Sequence, residues 1–239
     1  MVQSKSKIIY KESIFYFAFI ALFFFGSCRC DKNKIFPDIS NIIVDIKIER
    51  FEQDLYSIDT AAYESEIKKL QEKYPDFFEL YVKKIMRLGL PGDTITTHIS
   101  NLNKLLLQDK SMRGLYNTCM EKYDDVSSIE EELETAFRYY KYHFPGNSIP
   151  KKVITFISQF GFAAITYDTI LGIGLDMYLG EDYKYYPTFN FSKYMIRRFK
   201  REYIVANCMK AIIKNIYKED ENNKKVITGG FNYYFFEKQ

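Results

Sequence analysis

The sequence predicts an α+β fold, mainly α-helical with a small antiparallel β-sheet, and three observations predict it. Ile42, Val44, Ile46 and Ile48 alternate with Ile43, Asp45, Lys47 and Glu49, the period of two of a half-buried strand. From there to Phe144 the apolar residues recur at three- and four-residue spacing, which marks amphipathic helices. Beyond Phe144 the chain turns to Val, Ile, Thr and Phe before a last helical run.

The elements follow in order. "AAYESEIKKLQEKY", "DFFELYVKKIMRLG", "TITTHISNLNKLLLQD" and "SMRGLYNTCMEKY" read as packed amphipathic helices punctuated by Pro75, Pro91 and Gly114. Ser128 with Glu131 predicts a capping box opening "IEEELETAFRYYKYHF", which Pro145 and Gly146 close. "KVITFISQF" and "FAAITYDTILGIGL", separated at Gly161, predict two or three strands in antiparallel hairpins. "SKYMIRRFKREYIVANCMKAIIKNIYK" predicts one long helix with Ser192 as N-cap. No internal repeat or low-complexity linker interrupts the run, so 41–218 is expected to form one domain.

The first segment carries an address. "MVQSKSKIIYKE" supplies a basic n-region through Lys5, Lys7 and Lys11. An apolar run of roughly a dozen residues follows, short of the ~20 that a spanning helix needs. Phe25, Gly26, Ser27 and Cys28 resemble a bacterial lipobox, in which small residues admit the peptidase and the cysteine thiol carries the lipid. An ordinary secretory signal peptide and an uncleaved anchor are the competing readings, and the cysteine standing where the apolar run stops favours the lipoprotein. Cys30 would place the charged Arg29 at the cleavage position, so Cys28 is the expected attachment site. Residues 1–27 are therefore read as a lipoprotein signal peptide, 28–40 as a lipid-attached polar tether ending near Pro37, and 219–239 as an atypical C-terminal tail.

Composition narrows the chemistry. The 239 residues carry 34 basic and 31 acidic side chains, a net charge of +3 with lysines spread among acids, so no nucleic-acid partner is implied. Cys30, Cys119 and Cys208 are an odd set without a CxxC pair, which predicts neither a disulfide framework nor a thiol-redox motif. His98 and His143 stand alone, outside any H-E-x-x-H, so no metal and no cofactor are expected.

"ILGIGLDMYLGEDYKYYP", residues 170–187, is the densest candidate. Gly172 and Gly174 give G-x-G, but Met177 stands where a dinucleotide fingerprint needs a third glycine, and no P-loop lysine follows. Strand glycines more often mark a bulge or a close backbone approach. Asp45 with Glu49, or Asp176 with Glu181 and Asp182, have the residue types for glycosidase chemistry, although neighbouring acids are commonly just solvated. Tyr183, Tyr185 and Tyr186 form a ring shelf able to stack a sugar or anchor a partner, against the alternative of a structural cluster.

The blocks "IVDIKIERFEQDLY", "HFPGNSIPKKVITFISQF", "ILGIGLDMYLGEDYKYYP" and "KYMIRRFKREYIVANCMKAI", behind the lipobox, resemble the gliding-motility lipoprotein GldB family of the Bacteroidetes. The likeness runs over most of 42–212, and "IGLDMYLG" with "DYKYYP" is its most specific block. The resemblance implies an envelope lipoprotein facing the periplasm, needed for gliding and linked to type IX secretion, with no established enzymatic activity. It implies partners among other gliding or secretion proteins, and contact with the membrane through the N-terminal lipid, in either the inner or the outer membrane. Its signature positions here are Gly172, Gly174, Asp176, Tyr178, Gly180, Asp182, Tyr185, Tyr186 and Pro187, the candidates for partner binding. That family is distantly similar to zinc peptidases, with the helix at 194–217 in the place of the metal-binding one. Having no histidine, it implies a zincin-like scaffold without metal. The tail "EDENNKKVITGGFNYYFFEKQ" does not resemble the expected continuation, so a shortened copy with uncovered helix faces is one expectation. An envelope hydrolase or a glycan-binding module using 176–187 is the alternative function.

Overall fold

The structure, a computed structural model, describes residues 37–216. The expected signal peptide, Cys28, Cys30, most of the expected tether and the tail lie outside the described residues.

A strand and a short helix open the domain: β1 (Ile48–Arg50) runs directly into α1 (Phe51–Tyr56). The alternation from Ile42 onward is real, since Val44 and Ile48 are buried while Ile43, Asp45 and Lys47 are exposed. Only Ile48–Arg50 joins a ladder, however. The Ile46 amide just ahead of it and the Ile48 amide at its start donate to carboxylates of Glu134 and Glu130, at 3.4 and 2.7 Å. A helix side chain thus occupies the outer edge that another strand would otherwise seek.

The helical half then builds α2 (Tyr63–Lys73), α3 (Pro75–Leu80), α4 (Ile95–Leu102), α5 (Lys110–Tyr123) and α6 (Ser127–His143). Pro75 stands at the first turn of α3, where its missing N–H costs nothing. Both α3 and α4 finish in π turns, Tyr81–Ile85 and Asn103–Leu107, which the three- and four-residue spacing did not distinguish from α-helix. Thr94 and Asp109 cap α4 and α5 by accepting the amides of Thr97 and Met112.

The expected capping box on α6 does not form. The helix starts at Ser127, whose amide and hydroxyl both donate to Asp125. Ser128 lies inside the helix, where its hydroxyl accepts from Arg201.

Three further strands follow: β2 (Lys152–Phe156), β3 (Ala164–Tyr167) and β4 (Ile170–Gly174). The sheet has the order β1-β2-β4-β3. It is mixed, not antiparallel as the sequence predicted: β1 and β4 both run parallel to β2, and only the β3–β4 hairpin is antiparallel. The reason lies in β4, buried along its whole length between two neighbours. A continuous apolar run of this kind is the signature of a central parallel strand, and it carries no alternation that would report direction.

The expected helix at 194–217 is also broken, into α7 (Lys193–Ile196), a 3-10 turn (Arg201–Tyr203) and α8 (Ile204–Ile216). Ser192 does cap α7, accepting from Met195. The break has a cause at Phe199, whose ring turns inward onto Tyr186 and Phe191 and whose carbonyl accepts the Gly180 amide at 2.8 Å. The Tyr203 amide, which a continuous helix would direct to that carbonyl, donates to the Lys200 carbonyl instead. Beyond the break, α8 packs on β3 and β4 and against α6. The other side of the core is aromatic: Phe51 meets Tyr74, Phe77 and Tyr81 at 4.7 to 5.1 Å between ring centres, and Phe156 joins Phe77 at 5.6 Å.

Candidate functional site

The stretch at 170–187 begins as the centre of the sheet. Two glycines there are required by space. A Cβ on Gly174 would sit 1.9 Å from the Phe162 carbonyl oxygen, and one on Gly172 would sit 2.7 Å from Ile165 and 2.8 Å from Phe156. They mark close approach, as glycines within strands tend to. Gly180 has a different reason, a φ of +110° that L side chains rarely adopt.

After Gly174 the backbone tightens into a 3-10 turn, Leu175–Tyr178, every residue of which is buried. Asp176 is 0 % exposed. Its carboxylate accepts the amides of Ser158 and Phe160 and the Ser158 hydroxyl, the latter at 3.3 Å. The loop that leaves β2 is wrapped to deliver those donors: Gln159 and Phe160 have φ of 53° and 64°, and the Ser158 hydroxyl accepts from Gly161 and Phe162. Left-handed backbone at two successive non-glycine residues is strained, so the surrounding bonds must hold it. Burial pushes Asp176 up to about 6, against the amide bonds from Phe160 and Ser158 that pull it down.

Two tyrosines tie this turn to its neighbours. Tyr186 donates to the Asp176 carbonyl and accepts the Leu179 amide, both at 2.8 Å, so its hydroxyl bridges the turn internally. Tyr178 donates to the Ala163 carbonyl and accepts from Asn207 of α8 at 3.1 Å, while its own carbonyl accepts from Tyr123 of α5. Both rings are fully buried. Gly172, Gly174, Asp176, Tyr178 and Tyr186 therefore form an internal brace joining sheet, α5 and α8, and a partner has no access to them in the folded domain.

The second half of the stretch faces outward. Asp182, Tyr185 and Pro187 are exposed, and Pro187 is the second residue of a 3-10 turn, Tyr186–Phe189. Tyr183 lies half-buried against Phe160 and Tyr186, at 5.8 and 5.1 Å, and Tyr185 meets it edge-on at 5.6 Å. The sequence predicts this shelf but not its continuation through Phe189, Phe191 and Phe199, whose rings reach Phe160 and Tyr186 from beyond Pro187.

The acids do not assemble. Asp176 is sealed by backbone donors, and Glu181 pairs with Lys200 at 2.9 Å on the surface. Among the described residues no group of three or more His, Cys, Asp and Glu is placed to hold a metal ion. Cys119 and Cys208 are buried free thiols that burial pushes up, so neither is a poised nucleophile. Glu52, 1 % exposed, was not foreseen: it pairs with Arg50 at 2.6 Å, one carboxylate oxygen finds no partner, and burial raises it. Arg50 also reaches the carbonyls of Tyr123 and Asp124, so this pair joins α1 to α5 and serves the core.

Among known proteins, the family model described as gliding motility protein GldB matches residues 32–238. No curated protein and no solved structure matches the chain.

Proposed function

This chain belongs to the GldB gliding-motility lipoprotein family, and on that premise we propose that it is a lipid-anchored envelope protein, facing the periplasm, that supports assembly or stability of the gliding apparatus and the type IX secretion machinery linked to it. The family match across the whole described domain carries the reading. Its lipid is attached at Cys28, behind a tether ending near residue 40, and its role is non-enzymatic. The interior of the signature stretch supports this: Asp176, the acid that an envelope hydrolase would need, is closed off by backbone amides. The zincin-like scaffold stays a proposal of kinship; α8, which packs on β3 and β4, has no histidine to offer a metal.

The test is deletion and complementation. Loss of the gene abolishes colony spreading and lowers secretion of type IX cargo; the wild-type gene restores both, and Cys28→Ala restores neither and takes up no labelled palmitate. Normal spreading and secretion in the deletion strain would overturn the role. Palmitate incorporated into Cys28→Ala would move the anchor to Cys30.

A further inference from the structure

Between Asp182 and Glu202 the chain carries six cations and no acid: Lys184, Lys193, Arg197, Arg198, Lys200 and Arg201. Lys200 and Arg201 are engaged by Glu181 and Glu132, at 2.9 and 2.7 Å. The other four are interleaved with side chains that the domain leaves outside. Tyr185, Phe189, Tyr194 and Met195 are 48, 47, 67 and 45 % exposed, four of the ten large apolar residues exposed among the described ones, and they fall within one short segment. Single exposed apolar residues are ordinary; a cluster is not.

The cluster is held in place. Phe189 packs on Phe160 at 4.7 Å and lies 6.5 Å from Phe191, which meets Phe199 at 5.0 Å. Arg198 sits over Tyr194 at 5.5 Å, and Lys184 over Tyr185 at 4.8 Å. Phe189 is the outer member of a stack whose inner row, Phe160, Tyr186 and Phe199, is buried, and Tyr185 joins it through Tyr183. Turning them inward would displace that row.

Rings with polar tips, a methionine, and long cations whose heads can stay wet suit the boundary between lipid headgroups and acyl chains. A desolvated protein interface is the poorer match, because its core disfavours lysine. The absence of acids over the segment complements an anionic surface, where each Lys or Arg contributes roughly 1 kcal/mol to attraction. The anchor keeps such a surface near: residues 28–36 span at most ~30 Å when extended. We propose that the surface formed by Lys184, Tyr185, Phe189, Lys193, Tyr194 and Arg197 seats the domain on anionic phospholipid headgroups of the membrane that holds its lipid. This rests on the lipid-anchored reading above.

The chain has no tryptophan, so Tyr194→Trp supplies a single reporter. Full-length acylated protein carrying it is reconstituted into vesicles with brominated acyl chains, of phosphatidylglycerol or of phosphatidylcholine alone. The expected result is blue-shifted emission and quenching in the phosphatidylglycerol vesicles only. Lys193→Glu with Arg197→Glu in the same background lowers the docked-to-free ratio by about thirtyfold or more. Protein that floats with phosphatidylglycerol vesicles while its tryptophan stays unquenched would overturn the proposal, leave the anchor standing and return the patch to protein docking. Protein that does not float with vesicles at all would overturn both the anchor and the patch. Equal quenching after the double charge reversal would overturn the electrostatic basis.

Discussion

Asp176 and Asp182, and likewise Tyr186 and Tyr185, stand close together in one stretch and do opposite things. Asp176 is sealed in the core by two backbone amides, whereas Asp182 is exposed six residues later. Tyr186 spends its hydroxyl on the Asp176 carbonyl and the Leu179 amide, whereas Tyr185 next to it presents nearly half its surface to solvent. The first set fixes where the second points. The comparison teaches that one short stretch can consist of two layers: an internal brace that specifies the fold, and an outward surface that the brace positions.

The brace breaks most severely at Gly174. A methyl group there collides with the Phe162 carbonyl at 1.9 Å, an obstacle made of backbone and unable to rotate away. Gly174→Ala is expected to lose about 3–5 kcal/mol of stability, read as a lowered denaturant midpoint. Gly172→Ala meets only side-chain atoms of Ile165 and Phe156 and should lose less, about 1–3 kcal/mol. Equal effects at the two glycines would remove the distinction between backbone and side-chain approach.

How much of this was legible follows from where the physics sits. Amphipathic spacing and strand composition are local, so the helices and the strand content could be read directly. The G-x-G was correctly read as close approach because its failure as a nucleotide motif is a matter of spacing alone. Sheet direction was not legible, since β4 is buried on both faces and shows no alternation. The Ser128 cap failed because the helix starts one residue earlier, and the continuous helix broke where Phe199 turns to Tyr186 and Gly180, partners distant in sequence. For the same reason Ser158, which closes over Asp176, gave no signal: its partner lies eighteen residues away and its function depends on left-handed backbone at Gln159 and Phe160.

A pH measurement sharpens the contrast between the two acids. Burial raises Asp176 from 3.8 to about 6. Between those values the folded protein holds the proton more tightly than the unfolded chain, so this group's contribution to stability is greatest below about pH 4 and is lost as pH rises toward 6. The full loss is on the order of 3 kcal/mol. Glu52, also raised by burial, slopes in the same direction. Asp176→Asn removes the Asp176 slope and leaves one of the two amides without an acceptor, costing about 1–3 kcal/mol. The difference in unfolding free energy between wild type and Asp176→Asn should therefore change with pH across that window. A difference independent of pH would mean that the carboxylate stays ionised in the fold.

The smallest expected effect, at Tyr185, gives the sharpest test of the two layers when set against the same chemical change at its neighbour. Tyr186→Phe deletes one hydroxyl that satisfies two main-chain groups, the Asp176 carbonyl and the Leu179 amide, within a buried turn. Leaving both without that partner should cost about 2–3 kcal/mol. Tyr185→Phe deletes a hydroxyl beside solvent and should change stability by less than about 0.5 kcal/mol. Denaturation midpoints of the two variants, measured side by side, read the difference directly. If the pair shift together, the boundary between brace and surface does not fall between Tyr185 and Tyr186. If only Tyr186→Phe shifts, then Tyr185 is free to be selected for what it touches outside the domain, and its ring can be altered in spreading and vesicle assays without confounding loss of fold.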